Sequence, residues 1–315
     1  MKNENRLQTE LSGIIFKNPI IPASGTFGFG YESARFYDPN ILGGIAMKSA
    51  TPKSRYGNRQ PRIAECEAGM LNAIGLQNPG ADAVVGHELP KLREVFSGPV
   101  IANISGFSIK DYVDTAKLFD KTDTAILEIN ISCPNVKRGG MAFGTSPSMA
   151  ARVTKAVKSA VGKPVYIKLT PNVTDIAAIA RACEDAGADG LTLINTLLGM
   201  RIEPRDGKPV VSTVMAGFSG PAIKPIAVRM VFQASAAVSI PIIGVGGLCS
   251  ADDVIEMLSA GASAVQIGTA NLKNPFICKE ILEELPLRMD EYGIKTIKHC
   301  IERSRNAKAR RDSSL

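Results

Sequence analysis

Short runs of apolar residues, rich in isoleucine and valine and bounded by glycine or proline, recur along the whole chain. Hydrophobicity that continues without polar alternation is typical of strands covered on both faces, as in a parallel sheet. We therefore predict eight strands, which are Pro19–Ala23, Gly44–Lys48, Val100–Ile104, Ala125–Ile131, Val165–Leu169, Leu191–Asn195, Pro241–Val245 and Ala264–Ile267.

Stretches with helical periodicity lie between most of these strands. They include Met149–Val161, Ile176–Ala186, Ala222–Ala236, Ala251–Ala260 and Pro275–Leu285. Eight strands that alternate with helices predict an α/β fold of the (β/α)8 TIM barrel type. We expect this barrel to form a single domain over residues 1–295, with inserted active-site loops. A doubly wound open sheet is the alternative, and it is less favoured because the strand count matches that of a closed barrel.

The net charge of +7 is concentrated at one end of the chain. Residues 295–315 contain seven lysines and arginines against Glu302 and Asp312, a local excess of 7 − 2 = +5. Because the remainder is nearly neutral, the charge does not indicate a nucleic-acid partner. We expect residues 296–315 to form a basic C-terminal tail, the end of a helix followed by disordered chain.

The hydropathy of the chain indicates whether it enters a membrane or carries a signal peptide. Residues 230–251 carry no charge, but Pro241 and several glycines interrupt this stretch, so it does not predict a membrane span. The first ten residues are polar and charged and lack the pattern of a signal peptide. We therefore expect a soluble cytoplasmic protein.

The ends of the predicted strands carry polar, small or cationic residues. In (β/α)8 barrels the reacting groups lie at the C-terminal ends of the strands, so this clustering predicts a functional site. The residues are Ser24-Gly25-Thr26, Lys48-Ser49, Asn103–Gly106, Asn130 with Cys133, Lys168–Thr170, Asn195-Thr196, Gly246-Gly247 and Gly268-Thr269.

Two features of this set point to a phosphorylated cofactor. The glycines after the last two strands, together with the amide-rich turn Gly217–Pro221, favour the binding of a phosphate by backbone amides. A lysine at the end of a buried strand is costly unless it meets an anion or an electron-rich ring, and Lys48 and Lys168 both hold such positions. For either lysine alone, an exposed strand end is the simpler interpretation.

The segment Asn130–Gly140 ends a predicted strand with polar residues, a proline and paired glycines. Cys133 follows this strand, and neither histidine lies near it in sequence. A thiol there can accept a proton while asparagines bind a polar, uncharged substrate. A buried cysteine before a Pro-Asn turn is the alternative. The loop Asn72–Gly80 can similarly be a wall over a flat ligand or a surface turn.

These residues resemble those of the dihydroorotate dehydrogenases, most closely the catalytic subunits of class 1B. The resemblance extends from about Leu11 to Leu285. It rests on Pro22–Gly28, Lys48-Ser49, Asn72–Gly80, Asn130–Gly140, Lys168–Asn172, Asn195-Thr196, Ser219–Ala222 and Gly246-Gly247. It implies an FMN-containing barrel that oxidises (S)-dihydroorotate to orotate in de novo pyrimidine (UMP) biosynthesis.

The resemblance also implies a role for each matching residue. Cys133 would be the general base that removes a ring proton while hydride passes to FMN. Lys168 would stabilise the reduced flavin, and Lys48 would lie between flavin and substrate. The implied FMN-binding residues are Ser24, Lys48, Ser49, Asn103, Asn130, Lys168, Ile194, Gly220, Gly246, Gly247, Gly268 and Thr269. The implied substrate-binding residues are Lys48, Asn72, Ala73, Ile74, Gly75, Leu76, Asn130, Asn195 and Thr196.

Class 1B enzymes pass electrons to NAD through a second subunit that carries FAD and a two-iron iron-sulfur cluster. The resemblance therefore implies such a partner and a homodimer within a heterotetramer. The six cysteines of this chain are spread singly, so we expect neither a cluster nor a zinc site within it. Three alternatives remain open at this point: a class 1A enzyme that uses fumarate, a dihydropyrimidine dehydrogenase-like FMN subunit, and a flavin-free barrel acting on a sugar phosphate.

Overall fold

A computed structural model describes residues 6–132 and 141–303. The chain forms these strands: β1 Thr9–Leu11, β2 Ile14–Phe16, β3 Ile20–Pro22, β4 Ile45–Ala46, β5 Ile63–Cys66, β6 Gly69–Asn72, β7 Val100–Ile104, β8 Ile126–Asn130, β9 Val165–Lys168, β10 Gly190–Leu193, β11 Leu197–Gly199, β12 Ala216–Ser219, β13 Ile242–Val245 and β14 Ala264–Ile267.

The α-helices are α1 Ala81–Ala83, α2 Leu89–Val95, α3 Ile109–Asp120, α4 Met141–Gly144, α5 Pro147–Lys158, α6 Ile176–Asp185, α7 Lys224–Ser235, α8 Ala251–Ser259, α9 Ala270–Lys273 and α10 Ile277–Glu291. Short 3₁₀ helices span Tyr31–Arg35, Pro39–Ile41 and Pro221–Ile223, and a π-helical turn spans Val84–Glu88. Residues 297–303 are also helical.

Eight strands form one parallel sheet in the order β3-β14-β13-β10-β9-β8-β7-β4. The two strands at the ends of this order are brought together where the Gly43 N–H donates to the Ile20 carbonyl at 3.0 Å. Helices connect successive strands, so the predicted (β/α)8 barrel is confirmed. The bounds of all eight predicted strands are within two residues of those observed.

The interior of the barrel begins with an apolar layer near the N-terminal ends of the strands. Residues two apart on a strand point to the same face, and the inward set of this layer packs as one buried cluster. It consists of Ile21, Ala46, Ile101, Ile126, Tyr166, Ile243, Val245 and Ala264. The β1–β2 hairpin adds Leu11 and Phe16 to the same cluster and thereby closes the N-terminal end of the barrel.

A polar layer follows two residues further along four of these strands. Asn103, Glu128, Lys168 and Gln266 are all buried, at 5% exposure or less. They lie directly beneath the C-terminal mouth, because Lys168 is the last residue of β9. Neither Glu128 nor Gln266 is among the site residues predicted from the sequence, where these strands appear as apolar runs.

A second sheet, antiparallel and of order β11-β12-β6-β5, is built from insertions in the barrel. Its small core contains Leu71, Ala73, Val211 and Ala216. This sheet was not predicted from the sequence. The prediction of a turn at Gly217–Pro221 is wrong for its first half, because Ala216–Ser219 pairs with β6 and β11 as strand β12.

The last described residues pack against the barrel. Ile297 and Cys300 are buried, and the Ile297 N–H donates to the Arg6 carbonyl at 3.1 Å. Residues 304–315 of the predicted basic tail lie outside the described residues. Within the described part of the chain, we find no helix with the length and apolarity that a membrane crossing requires.

Candidate active site

A cavity opens at the C-terminal end of the barrel, beside the inserted antiparallel sheet. Strand ends and the loops after them supply most of its wall, which is the usual position of an active site in this fold. The predicted site residues that line the cavity are Ser24, Lys48, Ser49, Asn72, Ile74, Gly75, Leu76, Asn130, Lys168, Ile194, Asn195, Thr196, Gly220, Gly246, Gly247, Gly268 and Thr269.

The glycines after β13 and β14 present bare backbone to the cavity. Gly246 and Gly247 have φ angles of 128° and 80°, which residues with side chains rarely adopt. A Cβ atom on Gly247 would lie 2.6–2.8 Å from atoms of Lys224. A Cβ on Gly268 would enter open space, with its nearest neighbour, the Ala23 Cβ, 3.9 Å away. Amide groups exposed in this way suit an anionic ligand group such as a phosphate.

Lys168 brings a cation to the floor of the cavity. Its Nζ donates to Glu128 Oε1 at 3.3 Å and to Gln266 Oε1 at 3.1 Å. Gln266 Nε2 in turn donates to Glu128 Oε2 at 2.7 Å. The ammonium therefore has a carboxylate on its inner side and faces the cavity on the other.

Lys48 brings a second cation from the segment after β4. Its backbone N–H donates to the Gly28 carbonyl at 3.0 Å, which fixes the segment at the cavity wall. Burial lowers the pKa of the Lys48 ammonium, and the nearby Glu32 carboxylate partly opposes this effect. The cost of burying this charge would fall if a ligand brought an anion or an electron-rich ring to it.

Amides and a hydroxyl form a hydrogen-bonded group between the ends of β8 and β10. Asn195 Nδ2 donates to Ser132 Oγ at 2.6 Å and to Asn130 Oδ1 at 3.3 Å. The Thr196 N–H donates to Asn195 Oδ1 at 2.8 Å. These contacts orient the asparagines at the cavity, where they offer donors and acceptors to a polar ligand.

The loop after β6 is held in place by its own asparagine. Asn78 Nδ2 donates to Thr51 Oγ1 at 2.7 Å, and its Oδ1 accepts from the Gly80 N–H at 2.9 Å. Arg55 Nε donates to the Gly75 carbonyl at 3.4 Å. The loop is therefore a fixed part of the cavity wall, which favours the wall over the surface turn.

The sequence profile of the dihydroorotate dehydrogenase family matches residues 6–289. This chain belongs to the dihydroorotate dehydrogenase family.

Several curated relatives in this family bear the name "Dihydroorotate dehydrogenase B (NAD(+)), catalytic subunit". The protein of Anoxybacillus flavithermus is 56% identical over 303 residues, 96% of this chain and 97% of the relative. That of Bacillus cytotoxicus is 58% identical over 301 residues, 95% of this chain and 97% of the relative. That of Bacillus pumilus is 58% identical over 299 residues, with 95% and 96% covered.

Two of the predicted site residues, Ala73 and Asn103, are not part of this cavity wall, and a third cannot be placed relative to it. Ala73 is fully buried in the core of the antiparallel sheet. Asn103 lies in the polar layer of the barrel, where its Nδ2 donates to Glu128 Oε1 at 2.5 Å. Cys133, the predicted base, lies outside the described residues. The roles of all three in this dihydroorotate dehydrogenase family member stay predictions.

Apolar residues that are not among the predicted site residues also line the cavity. Ile63 and Met70 come from the antiparallel sheet, and Leu272 comes from helix α9. Their apolar side chains gave no chemical signal in the sequence. Glu128 and Gln266 could have been found, because each is a polar residue at an interior position of a largely apolar strand.

Proposed function

We propose that this chain is the catalytic subunit of an NAD-linked dihydroorotate dehydrogenase, which oxidises (S)-dihydroorotate to orotate in pyrimidine biosynthesis. The observation that carries the proposal is the convergence, in one cavity of a family member, of Lys48, Lys168 and the paired glycines with several asparagines. The names of the relatives support the same activity.

FMN is the proposed cofactor, and the residues present fit it. Gly246, Gly247, Gly268 and Thr269 would hold its phosphate through backbone amides. Asn103 carries a buried Oδ1 with no hydrogen-bond partner among the described residues, so an acceptor remains available there. When bound, FMN would supply the acceptor for a hydride.

The chain's own residues would bind and orient the substrate. Dihydroorotate offers a carboxylate and ring amides, which match the donors and acceptors of Asn72, Asn130, Asn195 and Thr196. Lys48 would balance the negative charge of the substrate, since its partly buried ammonium borders the same cavity. The fixed loop from Ile74 to Leu76 would cover the substrate and exclude water.

We propose Cys133 as the general base that takes the ring proton. Its support is the family resemblance and its position three residues after Asn130, which lines the cavity. A free thiol has a pKa near ~8.5, so the site would have to favour the thiolate at neutral pH.

The test of this function begins with the visible spectrum of the purified chain. We expect a yellow protein that (S)-dihydroorotate bleaches without oxygen. Bleaching by dihydrouracil but not by dihydroorotate would favour a dihydropyrimidine dehydrogenase-like subunit, and a colourless protein that binds no FMN would overturn the proposal.

The variant Cys133→Ser is expected to keep FMN but lose roughly 10²–10⁴ in turnover at neutral pH, the range typical of general-base catalysis. Cys66→Ser is a matched control, because the Cys66 thiol on β5 does not line the cavity. Full activity of Cys133→Ser would refute the assigned role.

We further propose an electron-transfer subunit with FAD and a two-iron cluster, in a heterotetramer built on a homodimer of this chain in the cytoplasm. The words "NAD(+)" and "catalytic subunit" in the names of the relatives favour this arrangement over a fumarate-linked enzyme. The isolated chain should then reduce neither NAD nor fumarate with dihydroorotate, and co-expression with the partner should restore NAD reduction. Rapid fumarate reduction by the chain alone would contradict the proposal.

A further inference from the structure

The polar layer inside the barrel contains a fully buried carboxylate that the proposed chemistry does not use. Glu128 is 0% exposed and does not line the cavity. It accepts hydrogen bonds from Asn103 Nδ2 at 2.5 Å, from Lys168 Nζ at 3.3 Å and from Gln266 Nε2 at 2.7 Å. Each of these donors comes from a different strand of the barrel.

A carboxylate in such a place needs an explanation, because a buried ion is costly and well-packed apolar residues often replace an ion pair without loss of stability. The neighbouring inward layer shows that apolar side chains can fill the barrel interior. Two residues before Asn103, Glu128 and Gln266, the same strands carry Ile101, Ile126 and Ala264. The polar layer is thus a local departure from an otherwise apolar interior. Of the four described residues in this layer, Lys168 is the one that borders the cavity.

The hydrogen bonds form a closed triangle that determines the direction of each group. Lys168 Nζ donates to both Glu128 Oε1 and Gln266 Oε1, and Gln266 Nε2 donates back to Glu128 Oε2. If Glu128 were a glutamine, its side-chain nitrogen would face either Lys168 Nζ or Gln266 Nε2, and both of these are donors. The Gln266 amide could rotate so that its oxygen accepts from this nitrogen, but the Gln266 nitrogen would then face Lys168 Nζ, another donor. The triangle is satisfied by a carboxylate and is not satisfied by its neutral isostere.

We propose that Glu128 is a positioning residue that fixes the Lys168 ammonium at the cavity floor and sets how strongly that cation stabilises negative charge on the bound flavin. The inference rests on the proposed function, because it takes FMN as the occupant of the cavity. The carboxylate lies on the inner side of the ammonium, so it offsets part of the positive potential that reaches the cavity. Removing its charge should therefore make the site more favourable to the reduced, anionic ring.

The test compares the holoenzyme with its Glu128→Gln variant by redox titration against reference dyes. We expect the equilibrium constant for two-electron reduction of FMN to rise about tenfold, which corresponds to about 30 mV for a two-electron couple. A purely structural role would lower the melting temperature and leave the potential where it is. An unchanged or lower potential in Glu128→Gln overturns the inference.

A double-mutant cycle tests whether the effect passes through Lys168. In a Lys168→Met background, the part of the effect that depends on the position of the ammonium is absent, so Glu128→Gln should raise the equilibrium constant by a smaller factor than in the wild-type background. A shift as large as that in the wild-type background would overturn the proposed path. Should Glu128→Gln fail to fold, Glu128→Asp keeps the charge but withdraws it by one methylene, and it should shift the potential in the same direction by a smaller factor.

A measurement without flavin separates this inference from the proposed function. In ¹⁵N-lysine-labelled protein, the Nζ signal of Lys168 is assigned by its loss in Lys168→Met. Its protons should exchange with water at least tenfold faster in Glu128→Gln than in the wild type. Equal exchange rates in the wild type and Glu128→Gln would overturn the inference, whether or not the protein binds FMN. Faster exchange in Glu128→Gln, in a protein that does not bind FMN, would overturn the proposed function alone.

Discussion

Lys48 combines a charged side chain with a partly buried position at the cavity. Burial raises the free energy of the charged form, so the pKa of Lys48 is lowered from its ordinary value of 10.5. Lys110, on the exposed face of α3, has a pKa shifted in the opposite direction, because a hydrogen bond to Asp114 raises the pKa of the Lys110 ammonium. The pair offers an internal comparison within one protein.

We predict that Lys48 titrates at a lower pH than Lys110 in the flavin-free protein. The measurement is a ¹³C NMR titration after reductive methylation of lysines, with the two signals assigned by their loss in Lys48→Arg and Lys110→Arg. Coincident titration curves would contradict the effect of burial.

The same shift predicts a dependence of stability on pH. Just below pH 10.5 the unfolded chain binds the Lys48 proton more tightly than the folded chain does, so the free energy of unfolding should rise as the pH increases through this range. Lys48→Met cannot bind the proton, and its stability should rise less over the same range. Urea denaturation at several pH values gives the comparison, and parallel curves for the two proteins would argue against it.

Gly247 tests the glycine turn after β13. Its φ of 80° and the atoms of Lys224 that crowd its missing Cβ both oppose a side chain. Gly247→Ala should cost about 1–3 kcal/mol of stability from backbone strain and should release FMN. Gly162→Ala is the control, since an added Cβ there meets no atom within 4 Å. Equal melting temperatures and equal flavin contents in the two variants would mean that neither stability nor FMN binding depends on the backbone conformation of Gly247.

At the scale of elements, the β1–β2 hairpin acts as the base of the barrel. Phe16 is 0% exposed in the interior apolar cluster, whereas the adjacent Ile15 is 51% exposed. Phe16→Ala should cost about 3–5 kcal/mol, as for other buried aromatic side chains. Ile15→Ala should stay within about 0.5 kcal/mol. Chemical denaturation measures both, and similar losses for the two would mean that the hairpin does not close the barrel.

The elements also differ in how far sequence could predict them. The barrel strands were found because they are buried on both faces and therefore appear as continuous apolar runs, for example Val100–Ile104. The inserted sheet was not predicted because its strands are only partly buried, and Ile63–Cys66 includes a glutamate. The pairing of β6 with β12 also joins segments more than 100 residues apart, such as Asn72 with Gly217, which local patterns cannot reveal.

The candidate site shows the same division. Strand-end residues such as Lys168 and Gly246 were predicted because the fold places all C-terminal ends together. The family resemblance added Asn72 and Ile74, which lie on the inserted sheet and its loop. The sequence marks Glu128 only as a polar residue inside a strand, and its role depends on a triangle of hydrogen bonds across three strands that no local motif reveals.

At the scale of the whole molecule, one cavity unites residues from the barrel and the inserted sheet. Gly246 and Gly268 approach it from β13 and β14, and Asn72 approaches it from β6. Under the proposed function, residues on the barrel side would hold FMN and residues of the inserted sheet would contact the substrate. Because both ligands would share this cavity, the binding of one should affect the binding of the other.

This arrangement predicts how orotate affects thermal stability. At 100 times its Kd, orotate should stabilise the holoenzyme by about 2.7 kcal/mol, since it binds only the folded state. Protein from which FMN has been removed should melt at a lower temperature and gain much less from the same orotate concentration, because the flavin that would share the cavity with orotate is missing. Differential scanning calorimetry of the two forms, with Gly247→Ala as a flavin-poor control, measures both effects. Equal gains with and without FMN would mean that orotate binds independently of the flavin, which would argue against a cavity shared by the two ligands.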